Sequence, residues 1–197
     1  MRLSINILSC FLLLAATYTQ ARASTNGVID AAEVPTLEPG VLPGLLGQAY
    51  IVPVDTTKIP DFSLMTPFQT FVLANVAVPA QSSSSGFPNV ANVSEWYGIR
   101  LDGRLFVPEN GFFEFLLTAD DGAILYIDGA KVIDHDGIHP PTTKVSPFLY
   151  LSRGYHTIRI DYFQGPHDQM ALQLYWRNLL SGGELKIIDP AFFSMTP

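Results

Sequence analysis

Two stretches towards the C-terminal end of this 197-residue chain alternate apolar and polar side chains with a period of two. In the first stretch, one side carries His156, Ile158, Ile160 and Tyr162. In the second, one side carries Met170, Leu172, Leu174 and Trp176. Successive side chains of a β-strand point to opposite faces of a sheet, so this alternation is typical of strands that cover a core with one face. No helical period extends beyond a turn or two. The chain is therefore predicted to be all-β, an antiparallel sandwich or barrel.

Turn residues separate the predicted strands. Asp128-Gly129 lies between the apolar runs 123–127 and 130–134, and a two-residue Asp-Gly link predicts a hairpin because both turn residues adopt positive φ. Ser152-Arg153-Gly154 predicts a second hairpin between residues 149–151 and 155–163. The serine-rich segment 81–86 is predicted to be a flexible loop.

The N-terminus has the pattern of a secretory signal. Arg2 precedes an apolar run from Ile5 to Ala16, and Ala21-Arg22-Ala23 supplies small residues that a signal peptidase accepts. The run is shorter than the roughly 20 residues that cross a bilayer, so no membrane span is predicted. We expect a signal peptide at 1–23, an extended leader at 24–43 and a β domain at 44–197, in an exported protein that is secreted, periplasmic or at the cell surface.

Charge and cysteine content exclude several classes of function. The chain has 18 acidic and 11 basic residues, a formal charge of −7. Removal of Arg2 and Arg22 with the signal would leave nine basic residues against 18 acidic ones, a formal −9. Such a charge repels phosphates, so no nucleic acid is predicted as a partner. The single cysteine, Cys10, lies within the predicted signal, which leaves no disulfide and no nucleophilic thiol after cleavage.

The stretch 111–129, GFFEFLLTADDGAILYIDG, resembles the signature of the protective-antigen (PA-14) domain family. Further pieces resemble the family in the same order: GLLGQAY at 44–50, IRLDG at 99–103, RGYHTIRIDY at 153–162, ALQLYW at 171–176, and IDP at 188–190 with Phe193. The resemblance implies an antiparallel β-sandwich or barrel. It leaves function more open, since family members occur in toxins, fungal adhesins, glycosidases and bacterial surface proteins, and many but not all bind sugars through calcium.

Asp120-Asp121 is the pair on which the resemblance places a metal ion. Two adjacent carboxylates repel each other unless a cation lies between them, and calcium prefers about six to eight oxygen ligands. In sugar-binding members of the family, the resemblance implies a cis peptide bond between the two aspartates. It also implies further oxygen ligands from the 164–169 loop, where Gln164 and Asp168 are the candidates. Calcium is thus the predicted cofactor, and the alternative for the pair alone is a solvated acidic turn.

Two neighbouring hydroxyls of a sugar can fill the open positions of a calcium ion bound in this way. Side chains at the rim would then give specificity, and the candidates are Asp136, His139, His167, and Tyr97 or Trp96. The chain is predicted to be a calcium-dependent carbohydrate-binding module of the lectin or adhesin type, whose partner is a glycan or cell-surface polysaccharide. The alternative is a non-catalytic structural or assembly protein that binds an envelope protein.

Histidines do not form a convincing transition-metal pattern. His135 and His139 are four residues apart, a spacing that would suit zinc on a helix, but Gly137 and the Pro140-Pro141 pair oppose a helix there. His156 lies on the apolar side of its strand and is predicted to be a core histidine with its hydrogen bonds satisfied.

Enzyme chemistry is not predicted either. A glycosidase needs two carboxyl groups several ångströms apart across its substrate, and no second acid stands out to act with Asp120 or Asp121. No Ser-His-Asp arrangement can be argued from the spacing. No catalytic residue is therefore assigned.

Overall fold

The computed structural model describes residues 35–37, 39–166 and 168–196. The predicted signal peptide, most of the predicted leader and His167 lie outside these residues. Within the described ranges, no helix is long and apolar enough to cross a membrane.

Thirteen β-strands and three single-turn 3₁₀ helices form in the described part of the chain. The strands are β1 (Leu45–Ile51), β2 (Gln69–Leu73), β3 (Ala77–Ser82), β4 (Tyr97–Val107), β5 (Gly111–Asp120), β6 (Ala123–Ile127), β7 (Ala130–His135), β8 (Thr142–Val145), β9 (Leu149–Leu151), β10 (Gly154–Gln164), β11 (Gln169–Asn178), β12 (Lys186–Ile187) and β13 (Phe193–Ser194). The 3₁₀ helices are Phe62–Leu64, Ser83–Ser85 and Pro190–Phe192.

The strands form two antiparallel sheets that pack as a sandwich, which confirms the predicted fold class. The seven-stranded sheet has the order β2-β1-β4-β10-β6-β7, with β13 also paired to β4. The six-stranded sheet has the order β12-β11-β5-β8, with β3 paired to β11 and β9 paired to β5.

The core lies between the sheets and is built from alternate positions of the longest strands. The two predicted alternating runs supply Ile158, Ile160, Tyr162, Met170, Leu172, Leu174 and Trp176, all of which are buried. From β4 and β5 come Ile99, Leu101, Leu105, Phe113, Phe115 and Leu117, also buried. Removal of these apolar surfaces from water is the main term that favours this fold.

His156 is satisfied as predicted, but it lies at the edge of the core. Its Nδ1 lies 2.6 Å from Asp128 Oδ2 and its Nε2 lies 2.8 Å from the carbonyl oxygen of Ser152. The ring is half-buried, so the histidine links two turns rather than filling the interior.

One predicted hairpin is confirmed and the other is wrong. Asp128 and Gly129 have φ values of +49° and +76°, and they join the paired strands β6 and β7. The strands on either side of Ser152-Arg153 belong to different sheets, because β9 pairs with β5 whereas β10 pairs with β4 and β6. Both edges of β10 are thus occupied, and the segment between β9 and β10 crosses from one sheet to the other.

The serine-rich segment has more regular structure than predicted. β3 continues to Ser82 and pairs with β11, and Ser83–Ser85 form a 3₁₀ turn. Ser83 is fully buried, and its N–H donates to the carbonyl oxygen of Asp168 over 3.0 Å. The serine-rich composition predicts a loop because composition carries no information about pairing with a distant strand.

Candidate functional site

The acidic pair lies where the chain crosses from one sheet to the other. Asp120 ends β5 and pairs with Ala171 in the six-stranded sheet, whereas Ala123 begins β6 and pairs with Tyr162 in the seven-stranded sheet. Asp121 and Gly122 make the crossing between them. The peptide bond between Asp120 and Asp121 is cis, which confirms the expectation from the family resemblance.

Asp121 holds two loops through its carboxylate. The side chain is buried, with 4% of its residue surface exposed. Oδ1 accepts a hydrogen bond from the N–H of His139 over 3.2 Å, and Oδ2 accepts one from the N–H of Gly165 over 2.7 Å. Each carboxylate oxygen has a second lone pair, so both remain able to bind a cation.

Asp120 is a buried acid that forms no ion pair with any described side chain, although His139 lies within electrostatic reach of it. Only 6% of the residue is exposed, and no described residue donates a hydrogen bond to its carboxylate. Its backbone carbonyl oxygen accepts the hydroxyl of Tyr162 over 2.7 Å. A buried carboxyl group in this state favours either a proton or a nearby cation.

The pKa values of both aspartates are raised, mainly because the carboxyl groups are buried. Burial, followed by the neighbouring Asp121 carboxylate, raises the pKa of Asp120 to about 7, and Asp168 adds to the effect. Burial also raises the pKa of Asp121, although its two backbone hydrogen bonds act in the opposite direction. Ionisation of both carboxyl groups is thus unfavourable unless a cation compensates their charges.

Gln164 is the last residue of β10, and it lies beside the acidic pair. The residue is fully buried, and its Nε2 donates to the carbonyl oxygen of Gln169 over 2.8 Å, which closes the loop between β10 and β11. The Tyr162 hydroxyl lies 2.6 Å from Gln164 Oε1 and 2.7 Å from the Asp120 carbonyl oxygen. Since a hydroxyl carries one proton, it donates to one of these two oxygens at a time.

Asp168 lies near the acidic pair, and its side chain is exposed. Its negative charge contributes to the raised pKa of Asp120, which places it within electrostatic reach of that carboxyl group. His167, the preceding rim candidate, lies outside the described residues.

Asp136 and His139 lie on the loop between β7 and β8, beside the pair. Asp136 Oδ1 accepts the N–H of Ile59 over 2.9 Å, which ties this loop to the segment after β1. A Cβ at Gly122 would lie 2.8 Å from Asp136 Oδ1 and 2.9 Å from the nitrogen of Gly137, so only glycine fits at the crossing.

The imidazole of His139 is occupied by contacts within its own loop. Its Nε2 lies 3.1 Å from the carbonyl oxygen of His135, and its Nδ1 lies 3.0 Å from that of Pro140. The His135 and His139 rings stack at 4.1 Å between centroids. Across the described ranges, no three His, Cys, Asp or Glu side chains converge on a metal site.

Trp96 and Tyr97 differ in their access to this end of the molecule. Trp96 is half-buried, has a φ of +55°, and donates its N–H to the carbonyl oxygen of Gly165 over 3.3 Å. Tyr97 is fully buried, and burial raises its pKa strongly. Tyr97 therefore cannot contact a surface ligand, which corrects its place among the rim candidates.

The side-chain atoms that could bind a metal ion at this site are oxygens. The carboxylates of Asp120 and Asp121 and the amide oxygen of Gln164 are hard ligands, which suit calcium better than zinc or copper. With two buried carboxylates short of a counter-charge, the described residues fit a calcium ion. Further ligands would come from Asp168, backbone carbonyls or water.

Three residues shape the site although the sequence analysis does not assign them to it. Gly165 and Ile59 act through backbone N–H groups, which no side-chain pattern reveals. Tyr162 could be found from the sequence, because it lies two residues before Gln164 and therefore on the same face of β10.

Comparison with known proteins relates the chain to one domain family. A sequence profile described as "PA14 domain" matches residues 75–188, more than half of the chain. No match was found among curated proteins.

Three solved structures illustrate the similarity of fold. The PA14 domain of the antifreeze protein MpAFP is 23% identical, with a TM-score of 0.65 over 82% of this chain and 95% of that one. The PA14 sugar-binding domain of an RTX adhesin is 20% identical, with a TM-score of 0.64 over 79% and 99%. The A domain of epithelial adhesin 9 from Candida glabrata, in complex with Galβ1-4GlcNAc, is 14% identical, with a TM-score of 0.57 over 83% and 94%.

Proposed function

This chain belongs to the PA14 domain family, and from that premise we propose that it is an exported, calcium-dependent carbohydrate-binding module of the lectin or adhesin type. The fold alone does not choose among the functions of a family, so the proposal depends on the site. Of the similar domains, one is described as sugar-binding and another was solved with a galactose-containing disaccharide, and both support the proposal of sugar binding.

One observation carries the proposal: Asp120 is a buried carboxylate with no described hydrogen-bond donor, directly beside the buried carboxylate of Asp121. A structural acidic turn would be solvated or paired with a basic side chain. Asp120 is neither solvated nor ion-paired with a described basic side chain, and His139 is the only described group whose charge opposes those of both carboxylates. A divalent cation would compensate both charges.

Asp120, Asp121 and Gln164 would hold the calcium ion, with Asp168 as a fourth candidate. When bound, the ion supplies coordination positions that two neighbouring sugar hydroxyls can occupy. The Asp121 carboxylate fixes the two loops around it through Gly165 and His139, so those loops would set the shape of the rim. Asp136, His139 and His167 are the candidates for direct contact with the sugar, with His139 limited to contacts that do not use its ring nitrogens, because both lie against carbonyl oxygens of its own loop. No residue is assigned a catalytic role.

A glycan array probed with the exported protein in calcium and in chelator tests this function. We expect binding to a subset of glycans in calcium and its loss in chelator. Asp121→Asn should abolish binding, whereas Glu184→Gln, a change of the same charge at an exposed residue between β11 and β12, should not. Equal binding in calcium and chelator, or no binding to any glycan, would refute the proposal.

A second function, binding of an envelope protein as a structural or assembly module, is favoured by one surface feature. Phe112, Phe148 and Tyr150 are 45%, 63% and 55% exposed, and the first and last stack edge to face at 5.3 Å. Exposed aromatic groups of this kind occur at protein interfaces. Under this alternative, a pull-down from envelope extract would recover a partner with the wild-type protein and lose it with Phe148→Ser, with calcium making no difference.

A further inference from the structure

A cavity of about 330 Å³ lies on the outer face of the seven-stranded sheet. Outward-facing side chains of β4, β6 and β10 form its floor, and the segment between β1 and β2 forms its roof. The floor comprises Arg100, Ile124, Tyr126, Arg159 and Asp161, and the roof comprises Ile59, Pro60, Asp61 and Ser63. This volume is within the range of about 300–1,000 Å³ that is typical of small-molecule sites.

The two arginines of the floor are in different states. Arg100 forms a two-pronged ion pair with Asp161, at 2.8 Å from Nε to Oδ1 and 3.2 Å from Nη2 to Oδ2. Arg159 lies over the ring of Tyr126, 3.9 Å from its centroid, and is 3.5 Å from Asp161 Oδ2. Its Nε, the atom that makes this 3.5 Å ion-pair contact, is buried and has no hydrogen-bond acceptor among the described residues. A buried donor without an acceptor is costly, and a ligand oxygen would remove that cost.

The charges of the side chains that line this cavity cancel, and Asp102, which interacts with both arginines, lines only the adjoining cavity. Two guanidinium groups, from Arg100 and Arg159, face two carboxylates, from Asp61 and Asp161. An anion would meet the carboxylates and a cation would meet the arginines, so neither is favoured. An uncharged ligand with several hydroxyl groups suits this mixture, because each hydroxyl can both donate and accept a hydrogen bond.

The remaining walls also suit a sugar. The Ser63 hydroxyl donates to Asp61 Oδ1 over 2.6 Å, which leaves the hydroxyl oxygen free to accept and Asp61 Oδ2 without a described donor. Ile59, Pro60 and Ile124 provide apolar surface for the C–H groups of a sugar ring. A second cavity of about 230 Å³ adjoins the first and shares Arg159 and Tyr126 with it.

We propose that this cavity is a second, calcium-independent site for an uncharged sugar residue, with Arg159 as the residue that determines its specificity. The choice of ligand class rests on the proposed carbohydrate-binding function, whereas the geometry does not. Neither Asp120 nor Asp121 lines the cavity, although its roof is held by the hydrogen bond from Ile59 to Asp136. Binding here should therefore persist when calcium is removed.

Amide chemical shifts of the isotope-labelled exported protein test the proposal in chelator. The probes are D-galactose, D-glucose, D-mannose, L-fucose and N-acetyl-D-glucosamine, each at about 50 mM because single-site sugar binding is weak. We expect at least one sugar to shift the amides of Ile59, Ser63 and Arg159. No shift of these amides with any of the five sugars would overturn the proposal.

Two variants and a matched control complete the test. Arg159→Lys keeps the charge but loses the planar fork, so the affinity should fall about tenfold. Arg153→Lys makes the same change at an arginine that lines neither cavity and should leave the affinity unchanged. Asp61→Asn retains a capping oxygen for its 3₁₀ turn and should weaken binding through loss of charge.

Unchanged affinity in both Arg159→Lys and Asp61→Asn would overturn the proposal. Failure of the proposed function is separately visible, because it would remove calcium-dependent binding on the array while leaving these chelator-resistant shifts in place.

Discussion

The backbone N–H of Gly165 donates a hydrogen bond to Oδ2 of Asp121 over 2.7 Å. This bond connects the loop after β10 to the end of β5, while the other oxygen of the same carboxylate accepts the N–H of His139. One buried side chain therefore positions two loops that approach from different strands. Changes at Asp121 are expected to alter the shape of the site as well as its charge.

Gly165→Ala should weaken calcium binding through this contact. A Cβ at position 165 would lie 3.0 Å from Asp121 Oδ2 and 3.3 Å from the ring of Phe163, so the loop or the carboxylate must move. We expect a loss of about 1 kcal/mol in calcium affinity, measured by titration calorimetry. Gly183→Ala is the control. Its Cβ would lie 3.2 Å from the carbonyl oxygen of Asn178, in a loop outside the site, so this variant should bind calcium normally.

The calcium-free protein should lose stability as the pH rises from about 4 to about 7. The folded-state pKa of Asp120 is raised to about 7, mainly by burial and then by Asp121. An aspartate of the unfolded chain releases its proton near pH 4, so over this interval the folded state holds a proton that the unfolded state does not. The free energy of unfolding therefore falls with increasing pH.

Melting temperatures in chelator at pH 5 and pH 8 measure this effect. We expect a lower melting temperature at pH 8 for the wild type and a smaller difference for Asp120→Asn, which cannot ionise at that position. An identical pH dependence in the two proteins would show that Asp120 does not cause it.

Asp161→Asn should destabilise the fold by about 2–3 kcal/mol in urea unfolding. Asp161 is 5% exposed at its side chain and pairs with Arg100, which would lose its ion-pair partner and keep the Coulombic attraction of Asp102. Asp134→Asn breaks the exposed pair with Lys131, where the side chains are 47% and 50% exposed, and should have a much smaller effect on the free energy of unfolding. Equal effects of the two substitutions would contradict this difference.

Two substitutions at Asp136 distinguish its structural role from a role in glycan binding. Asp136→Ala removes the acceptor for the N–H of Ile59 and should cost about 1–2 kcal/mol of stability. Asp136→Asn keeps an oxygen at that position and should remain stable, so any loss of glycan binding in this variant reports on the charge alone. Unimpaired stability of Asp136→Ala would argue against the structural role.

The sequence predicts the strands and the first hairpin well, because both depend on local patterns. Alternation in β10 and β11 directly selects the buried face, and Asp128-Gly129 selects a turn with two positive φ values. The second hairpin fails because pairing is decided by distant strands. β4 and β6 occupy both edges of β10, and nothing near Ser152 encodes that.

For the candidate site as well, the sequence predicts some residues and not others. Asp120, Asp121 and Gln164 could be chosen by family resemblance, and they lie together. The contacts that hold them involve the N–H groups of Gly165, His139 and Ile59, which every residue but proline possesses and which no pattern distinguishes. Tyr97 was misplaced at the rim because the sequence does not tell which end of β4 is covered by other loops.

Calcium titration of the exported protein tests the central claim most directly. We predict that wild-type protein binds a single calcium ion and melts at a higher temperature in millimolar calcium, because a ligand that binds only the folded state stabilises it. The double variant Asp120→Asn/Asp121→Asn should bind none and show no shift. Absence of binding and of any shift in the wild type, or undiminished binding in the double variant, would contradict the assignment of calcium to this pair.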